Sequence, residues 1–493
     1  MGEYLSPGVY VEDNPGLPVI EAVSSSTGGF MGVTQRGPVN KPVFITSWNA
    51  FLTNFALGCD SPFLKDSYLA YSIYGFFQNG GKRCYVMRVA GTGNACATAQ
   101  YSETPDGESE SVLKFTISAK DEGTWANGFK VYVRVNEDDA TLFDIITLDG
   151  SGNVVEVVEG LSNSSADDNY WFTALESMSN YIKAGGTTEA ATLVAIEKDK
   201  AIELANGNDG ATVTDTDFTL NLPKFDVADD MNLLCIPGET SDNVVNALLS
   251  YCENNKYLFA IVDVPMTTVT STAAKTWRKK LSCKNAAIYY PWIKVTDPLS
   301  KTGKLKVCPA CGHTMGVYAR TIEERGVWKA PAGTEAIVRG AIATNAQITS
   351  GDTDLLNPAG VVSIMARPNY GIVLWGARDI HPDSSMKYIS DVLLDINIKK
   401  SIYLGTQQFV FEPNAPETWK KLRTTVEAFL DNLWRDGALF GEKASEAYYV
   451  KCDEELNPEN VRNAGKLICE VGYASKKPAE FVIFRFSHTV ATQ

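Results

Sequence analysis

Apolar residues fall at Leu422, Val426, Phe429, Leu430, Leu433 and Trp434, the i, i+4, i+7, i+8 spacing of an amphipathic helix, and Gly437 ends the pattern. Three strand-like runs follow, separated by Asn-Pro, Gly and Lys-Pro punctuation. The first spans 447–452 and includes Tyr449 and Val450; the second spans 466–471 and includes Ile468. The third, 481–486, reads Phe481, Val482, Ile483, Phe484, Arg485, Phe486. It is apolar on both faces, so as a strand it needs cover on two sides, and the expectation is that another chain supplies it.

The other end of the chain is an extended arm. Pro7, Pro15 and Pro18 exclude a helix, and Val9, Tyr10 and Val11 between them form a short run that pairs only as an edge strand. From Gly29 the pattern becomes α/β: strands near 29–33 and 43–45, a helix capped by Ser47, a helix over 68–77 and a strand at 84–89. Between 92 and 225 it changes to short β-like runs such as 113–117 and 131–135, set between Gly-rich or acidic turns. The α/β rhythm resumes with strands near 233–237, 258–264 and 286–290, interleaved with helices over Val244 to Leu249 and near Trp277. The predicted fold class is therefore mixed α/β and α+β, in several domains. An arm covers 1–22, and a discontinuous α/β core covers 23–91 and 226–385. A β-rich insertion occupies 92–225, and an α+β module occupies 386–493 with its own arm at 478–493. At 493 residues the chain is too long for one core of ordinary size.

Charge sharpens this division. The net charge is −15, and residues 101–200 hold 19 acidic against 7 basic side chains. The insertion thus carries most of the repulsion, while the rest is near neutral and suited to packing against copies of itself. Such a balance argues against binding nucleic acid or an anionic membrane. No run of eighteen apolar residues suggests a membrane span, and no basic region followed by an apolar core marks a secretory signal. The ten cysteines are scattered and read as reduced, buried thiols.

Few catalytic readings survive. Cys308, Cys311 and His313 make a C-x-x-C with a nearby His, and Asp263 ends an apolar strand of an α/β unit, where ligand-binding carboxylates are common. Together they leave open a soluble, metal-assisted hydrolase. A structural zinc site needs four ligands, however, and no second C-x-x-C or H-x-x-x-H follows. No G-x-S-x-G, phosphate-binding loop or H-E-x-x-H is present, so no cofactor, metal or catalytic residue is assigned.

A dozen motifs in order suggest a different class. Pro7-Gly8-Val9-Tyr10-Val11-Glu12, Arg36-Gly37-Pro38, Phe76-Phe77-Gln78-Asn79-Gly80-Gly81, Ala319-Arg320, Arg325-Gly326-Val327-Trp328-Lys329-Ala330-Pro331 and Trp375-Gly376-Ala377-Arg378 lie upstream. Phe411-Glu412-Pro413-Asn414, Leu433-Trp434-Arg435-Asp436-Gly437-Ala438-Leu439, Val450-Lys451-Cys452-Asp453, Asn457, Gly465 and Pro478-Ala479-Glu480-Phe481-Val482 lie in the last module. In this set the chain resembles contractile tail sheath proteins of phages, R-type bacteriocins and related injection systems. The resemblance implies a non-enzymatic subunit of a helical homopolymer of stacked hexameric rings. Its implied partners are an inner tail tube, baseplate and tail terminator proteins, with no nucleic acid and no membrane insertion, and its implied place of assembly is the bacterial host cytoplasm.

The resemblance also implies that Val9, Tyr10, Val11 and 481–486 pair with other chains beside Tyr449, Val450 and Ile468. It places the last module innermost, which makes Lys420, Lys421 and Arg423 the expected contact with the tube. It reads Cys308 to His313 as a turn whose ordinary residues have become cysteines.

Overall fold

The computed structural model describes residues 20–104, 111–186 and 192–485. Val9, Tyr10, Val11 and Phe486 lie outside them.

The main sheet has eight strands, in the order Gly371–Trp375, Val361–Arg367, Ala286–Tyr290, Phe259–Asp263, Leu233–Cys235, Gly28–Gly32, Cys84–Arg88, Pro42–Ile45. The six inner strands are mutually parallel, and the outermost strand on each side is antiparallel to its neighbour. The continuous apolar runs follow from this arrangement, since a parallel strand covered on both faces has no polar side. Phe259 and Ile261 enter one core while Ala260 and Val262 enter the other, and Ala287 and Tyr289 alternate with Ala286, Ile288 and Tyr290 in the same way. Ser47 caps the helix Trp48–Phe55 by accepting the Ala50 N–H, as its sequence position predicts.

Helices Leu69–Gln78, Cys311–Arg325, Ile389–Gly405 and Pro416–Arg435 cover one face. The first two approach closely because glycines face the contact. A Cβ on Gly316 would lie 2.5 Å from the Phe76 carbonyl oxygen, and one on Gly312 would lie 2.4 Å from that of Ser72. Helices Asp242–Asn254 and Ser271–Arg278 cover the other face, together with Asp215–Asn221 and the turn Leu222–Val227, which contribute Phe218, Leu222 and Phe225.

Between Cys84–Arg88 and Leu233–Cys235 the chain builds two smaller antiparallel sheets. One joins Thr98–Glu103, Val112–Ala119 and Ile182–Gly185; the other joins Ile202–Glu203, Lys130–Val135, Phe143–Leu148 and Val154–Leu161. They share a core around Trp171, Phe115 and Val131. The chain enters and leaves through one neck, where Ala95 pairs with Asn208 and Thr98 with Ala205. Arg36 pins this part to the main sheet. Its guanidinium pairs with Asp121 at 3.2 Å, donates to the carbonyls of Leu57 and Asn180, and lies 4.2 Å from the Trp125 ring centre.

Cys308 ends the strand Leu305–Cys308, while Cys311 and His313 open the helix Cys311–Arg325, so the expected turn is confined to the two residues between. In the last module the helix is longer than its apolar stripe, Pro416–Arg435, and the first strand forms at Tyr448–Lys451. Of the run 466–471 only the end is strand, within Glu470–Tyr473. The Asn457 side chain takes the Ile468 N–H at 2.7 Å and donates to the Ile468 carbonyl at 2.9 Å, removing that backbone from any ladder. Residues 481–485 are not in a strand.

Candidate functional site

The proposed hydrolase residues serve the fold. The Asp263 carboxylate accepts the N–H groups of Ala310 at 2.9 Å and Cys311 at 3.1 Å, satisfying the start of the helix Cys311–Arg325 across 47 residues of sequence. Burial raises its pKa to about 6 against those hydrogen bonds. Burial likewise lowers His313 to about 4, because its ring is packed against Gly75. Among the described residues no group of three or more His, Cys, Asp or Glu is placed to hold a metal ion. The cleft between the main sheet and the small sheets, about 1080 Å³, includes Arg88. Arg88 donates to the Gly37 and Glu122 carbonyls, a structural engagement. The cluster Arg320, Glu323, Arg325 and Lys329 is a set of structural ties as well. Arg320 donates to the carbonyls of Asn79 and Ile337, Lys82 pairs with Glu323, and Arg325 and Lys329 both reach Glu335.

The last module has a different character. Tyr448–Lys451 and Glu470–Tyr473 pair antiparallel as a two-stranded sheet, and among the described residues no third strand joins it. One face rests on the helix layer through Tyr448, Val450, Val471 and Tyr473, while Tyr449 is 54% and Ile468 42% exposed. Close by in sequence, Phe481, Val482, Ile483 and Phe484 are 70–76% exposed.

The root of that apolar run is held firmly. Glu480 accepts from Arg378 Nη2 at 2.8 Å and Nε at 3.1 Å, from Tyr388 Oη at 3.1 Å, and from the Asn357 amide. Burial pushes the Glu480 pKa up, but the hydrogen bonds from Arg378 and Asn357 and the Arg378 charge outweigh it and hold the carboxyl below its ordinary value. Lys477 donates to Asp391 at 2.6 Å and to the Ser385 carbonyl at 2.7 Å. Asp391 lies on the helix Ile389–Gly405, and that same helix holds the root of the other arm. Its Asn397 donates to the Val23 carbonyl and Ser25 Oγ, and its Ser401 accepts the Val23 N–H. Both chain ends therefore leave from one buried helix.

This clamp went unassigned in the sequence. Arg378 and Glu480 sit in motifs that carry the family resemblance, but Asn357, Tyr388 and Asp391 have no local signal, since only the fold brings them together. Lys420 and Lys421 are exposed on the helix Pro416–Arg435, whereas Arg423 is half-buried and lies 3.6 Å from Glu427.

Residues 211–379 match the phage tail sheath protein central domain, and residues 381–489 match the phage tail sheath C-terminal domain. The chain belongs to the phage tail sheath family. The sheath chain is 24% identical over 362 residues to a tail sheath protein of Salmonella phage ViI, covering 70% of this chain and 54% of that protein. It is also 24% identical over 266 residues to one from Burkholderia phage BcepMu, covering 50% and 53%. It thus spans about half the length of these curated relatives. Its fold is that of solved sheaths. The contracted helical sheath of the anti-feeding prophage superposes with TM-score 0.61 at 21% identity over 98% of both chains. A sheath tail protein of Listeria innocua superposes with TM-score 0.63 at 12% identity over 92% of this chain and 96% of that one.

Proposed function

We propose that this chain is the structural subunit of a contractile tail sheath. Copies polymerise as a helical cylinder of stacked hexameric rings around an inner tail tube, and shortening of the cylinder drives the tube through a target cell envelope. The observation that carries this reading is the two-stranded sheet of the last module, which no third strand joins among the described residues, beside an apolar run clamped at its root and exposed beyond it. Strands added from neighbouring copies, 481–486 from one and Val9 to Val11 from another, would pair beside Tyr449 and Val450 on one edge and beside Glu470–Tyr473 on the other, the expected pairing at Ile468 being displaced because Asn457 already holds its backbone. Main-chain hydrogen bonds of this kind tolerate rotation of the bodies they connect, which contraction requires.

The acidic residues 92–225 act as an insertion on the outside of the cylinder, where water and salt screen like charge. Lys420, Lys421 and Arg423 face the inner tube. Baseplate and tail terminator proteins contact the cylinder ends, assembly takes place in the bacterial host cytoplasm, and the role is non-enzymatic.

Removing residues 481–493 tests the reading. Electron microscopy of the full chain should show hollow cylinders, and the truncated chain should show none while keeping its far-ultraviolet circular dichroism and urea midpoint. Cylinders of undiminished length from the truncated chain would overturn it.

A further inference from the structure

Two of the ten cysteines face each other at the end of the C-terminal sheet. The ladder pairs Tyr448 with Tyr473, Tyr449 with Gly472, Val450 with Val471 and Lys451 with Glu470. One further step sets Cys452 opposite Cys469, and the two thiols are near enough to perturb each other's protonation. The ladder also fixes the kind of pair. The Ala474 N–H donates to the Ala447 carbonyl directly opposite, so that pair is hydrogen-bonded. By alternation Tyr449 with Gly472 and Lys451 with Glu470 are too, while Cys452 with Cys469 is not. In a non-hydrogen-bonded antiparallel pair the Cα atoms approach to about 4.5 Å, within the span of about 4.4–6.8 Å that a disulfide bridges. Asn457 holds the backbone of Ile468 from both sides, so Cys469 is fixed in register.

Access separates this pair from the other adjacent thiols. Cys235 and Cys311 also perturb each other, but both are sealed in the main core. Cys452 is buried, whereas Cys469 is partly exposed.

We propose that Cys452 and Cys469 are a modification site: they close to an intramolecular disulfide when the chain meets a low-molecular-weight disulfide such as glutathione disulfide. The Cys469 thiolate attacks one glutathione sulfur, forming a mixed disulfide and releasing one glutathione thiolate. The Cys452 thiolate then attacks the Cys469 sulfur, releasing the second. The two cysteines are oxidised by two electrons, the glutathione disulfide is reduced by two, and the two thiol protons end on the two glutathiones. Burial raises both thiols, Cys469 to about 12, so the thiolate fraction is small and closure is slow. A chain made in a reducing compartment would carry the open pair and close it gradually after release. The bond would lie between the two strands, at the end of their ladder, and would not occupy an outer edge. On the strand-exchange reading above, it would fasten the acceptor sheet without competing with the incoming strands.

The full-length chain is incubated with glutathione disulfide at mildly alkaline pH, alkylated, and mapped by mass spectrometry. The expected result is a peptide pair joined through Cys452 and Cys469, with intact mass lower by two hydrogens. Cys452→Ser should stop at a glutathione adduct on Cys469, and the half-exposed Cys469→Ser should leave Cys452 unreacted. Amide exchange at Lys451 and Glu470, the hydrogen-bonded pair next to the cysteines, should slow by about tenfold or more in the oxidised wild type. A wild-type chain whose Cys469 stays reduced, or keeps its glutathione, after Cys59 and Cys96 have reacted overturns the proposal. Mapping is done on the unassembled chain, so its outcome is independent of whether strands exchange; loss of cylinders on truncation addresses only that second question.

Discussion

The main sheet has six parallel strands between two antiparallel edge strands, whereas the C-terminal sheet has two strands and two outer edges. In the first, every inner strand is buried on both faces, and one edge is blunted by the short Pro42–Ile45, which begins with proline. In the second, Tyr449 and Ile468 are exposed, as are Phe481, Val482 and Ile483, and among the described residues no third strand joins the sheet. The difference is thermodynamic. A sheet complete within one chain folds at any dilution, while a sheet completed by neighbours gains its stability through assembly and depends on concentration. On the proposed reading, the first makes a rigid body and the second a joint between rigid bodies.

The largest effect is expected from breaking the closed region. In Gly316→Leu the new Cβ would stand 2.5 Å from the Phe76 carbonyl oxygen, a backbone atom that no rotamer change can move. Overpacking of this kind, with the two helices forced apart, should cost about 4 kcal/mol, far more than the helix propensity gained. Gly351→Ala is the contrast, since its Cβ would meet nothing nearer than Thr349 Oγ1 at 3.9 Å. That change should be neutral or stabilise by up to about 1 kcal/mol. Urea unfolding of the two variants checks this directly. Equal midpoints would mean that the helix contact yields to a larger side chain.

A middle-sized effect belongs to the clamp at the root of the arm. Arg378→Ala leaves Glu480 in a largely buried site without its charge partner, at a cost of about 2 kcal/mol. The main sheet does not depend on the contact, so the loss should be local: faster amide exchange in 477–481 with an unchanged global midpoint, and fewer cylinders. The same contact predicts a pH response. Glu480 has a folded pKa below its unfolded value of about 4.3, so its contribution is fully present above that value and is lost as pH falls through the lower folded one. Release of the root should therefore appear only in that acidic window, and Glu480→Gln should abolish the dependence. A root that loosens between pH 6 and 8 would assign the contact to other groups.

The closed region was readable from residue patterns because its rules are local. Unbroken apolar runs at 258–262 and 286–290 announce strands covered on two faces, and Ser47 announces its helix. What stayed hidden depends on distance in sequence. Asp263 looked like a ligand carboxylate at a strand end, and nothing nearby in the chain reveals that Ala310 and Cys311 are its partners. The 466–469 run has strand composition, yet Asn457 captures its backbone from eleven residues away. The clamp on Glu480 draws on Asn357, Arg378 and Tyr388, and the Cys452–Cys469 pair exists only once the ladder register is fixed. The candidate exchange segments were legible as apolar runs, and the partners proposed for them belong to other copies of the chain.

The smallest effect tests the outer surface of the open module, where the proposed grip on the tube resides. Lys420 and Lys421 are exposed in the first turns of Pro416–Arg435, and the buried stripe of Leu422, Val426 and Phe429 lies on the other side. Arg423 differs because Glu427 lies 3.6 Å away on the next turn, so it is already partly satisfied within the chain. Exposed pairs contribute about 0 to 1 kcal/mol each, which suits a grip that many copies make together and release on contraction. Replacing all three by Glu should change the stability of the isolated chain by no more than about 0.5 kcal/mol, most of it from the lost Arg423 to Glu427 contact. Assembly on purified tubes should fall, most steeply at low salt, where like charge on an acidic tube is least screened. Because of that internal partner, Lys420→Glu and Lys421→Glu together should account for most of the loss. Undiminished assembly of the triple variant from low to high salt would remove these residues from the tube contact and leave strand exchange as the module's sole role in holding the cylinder.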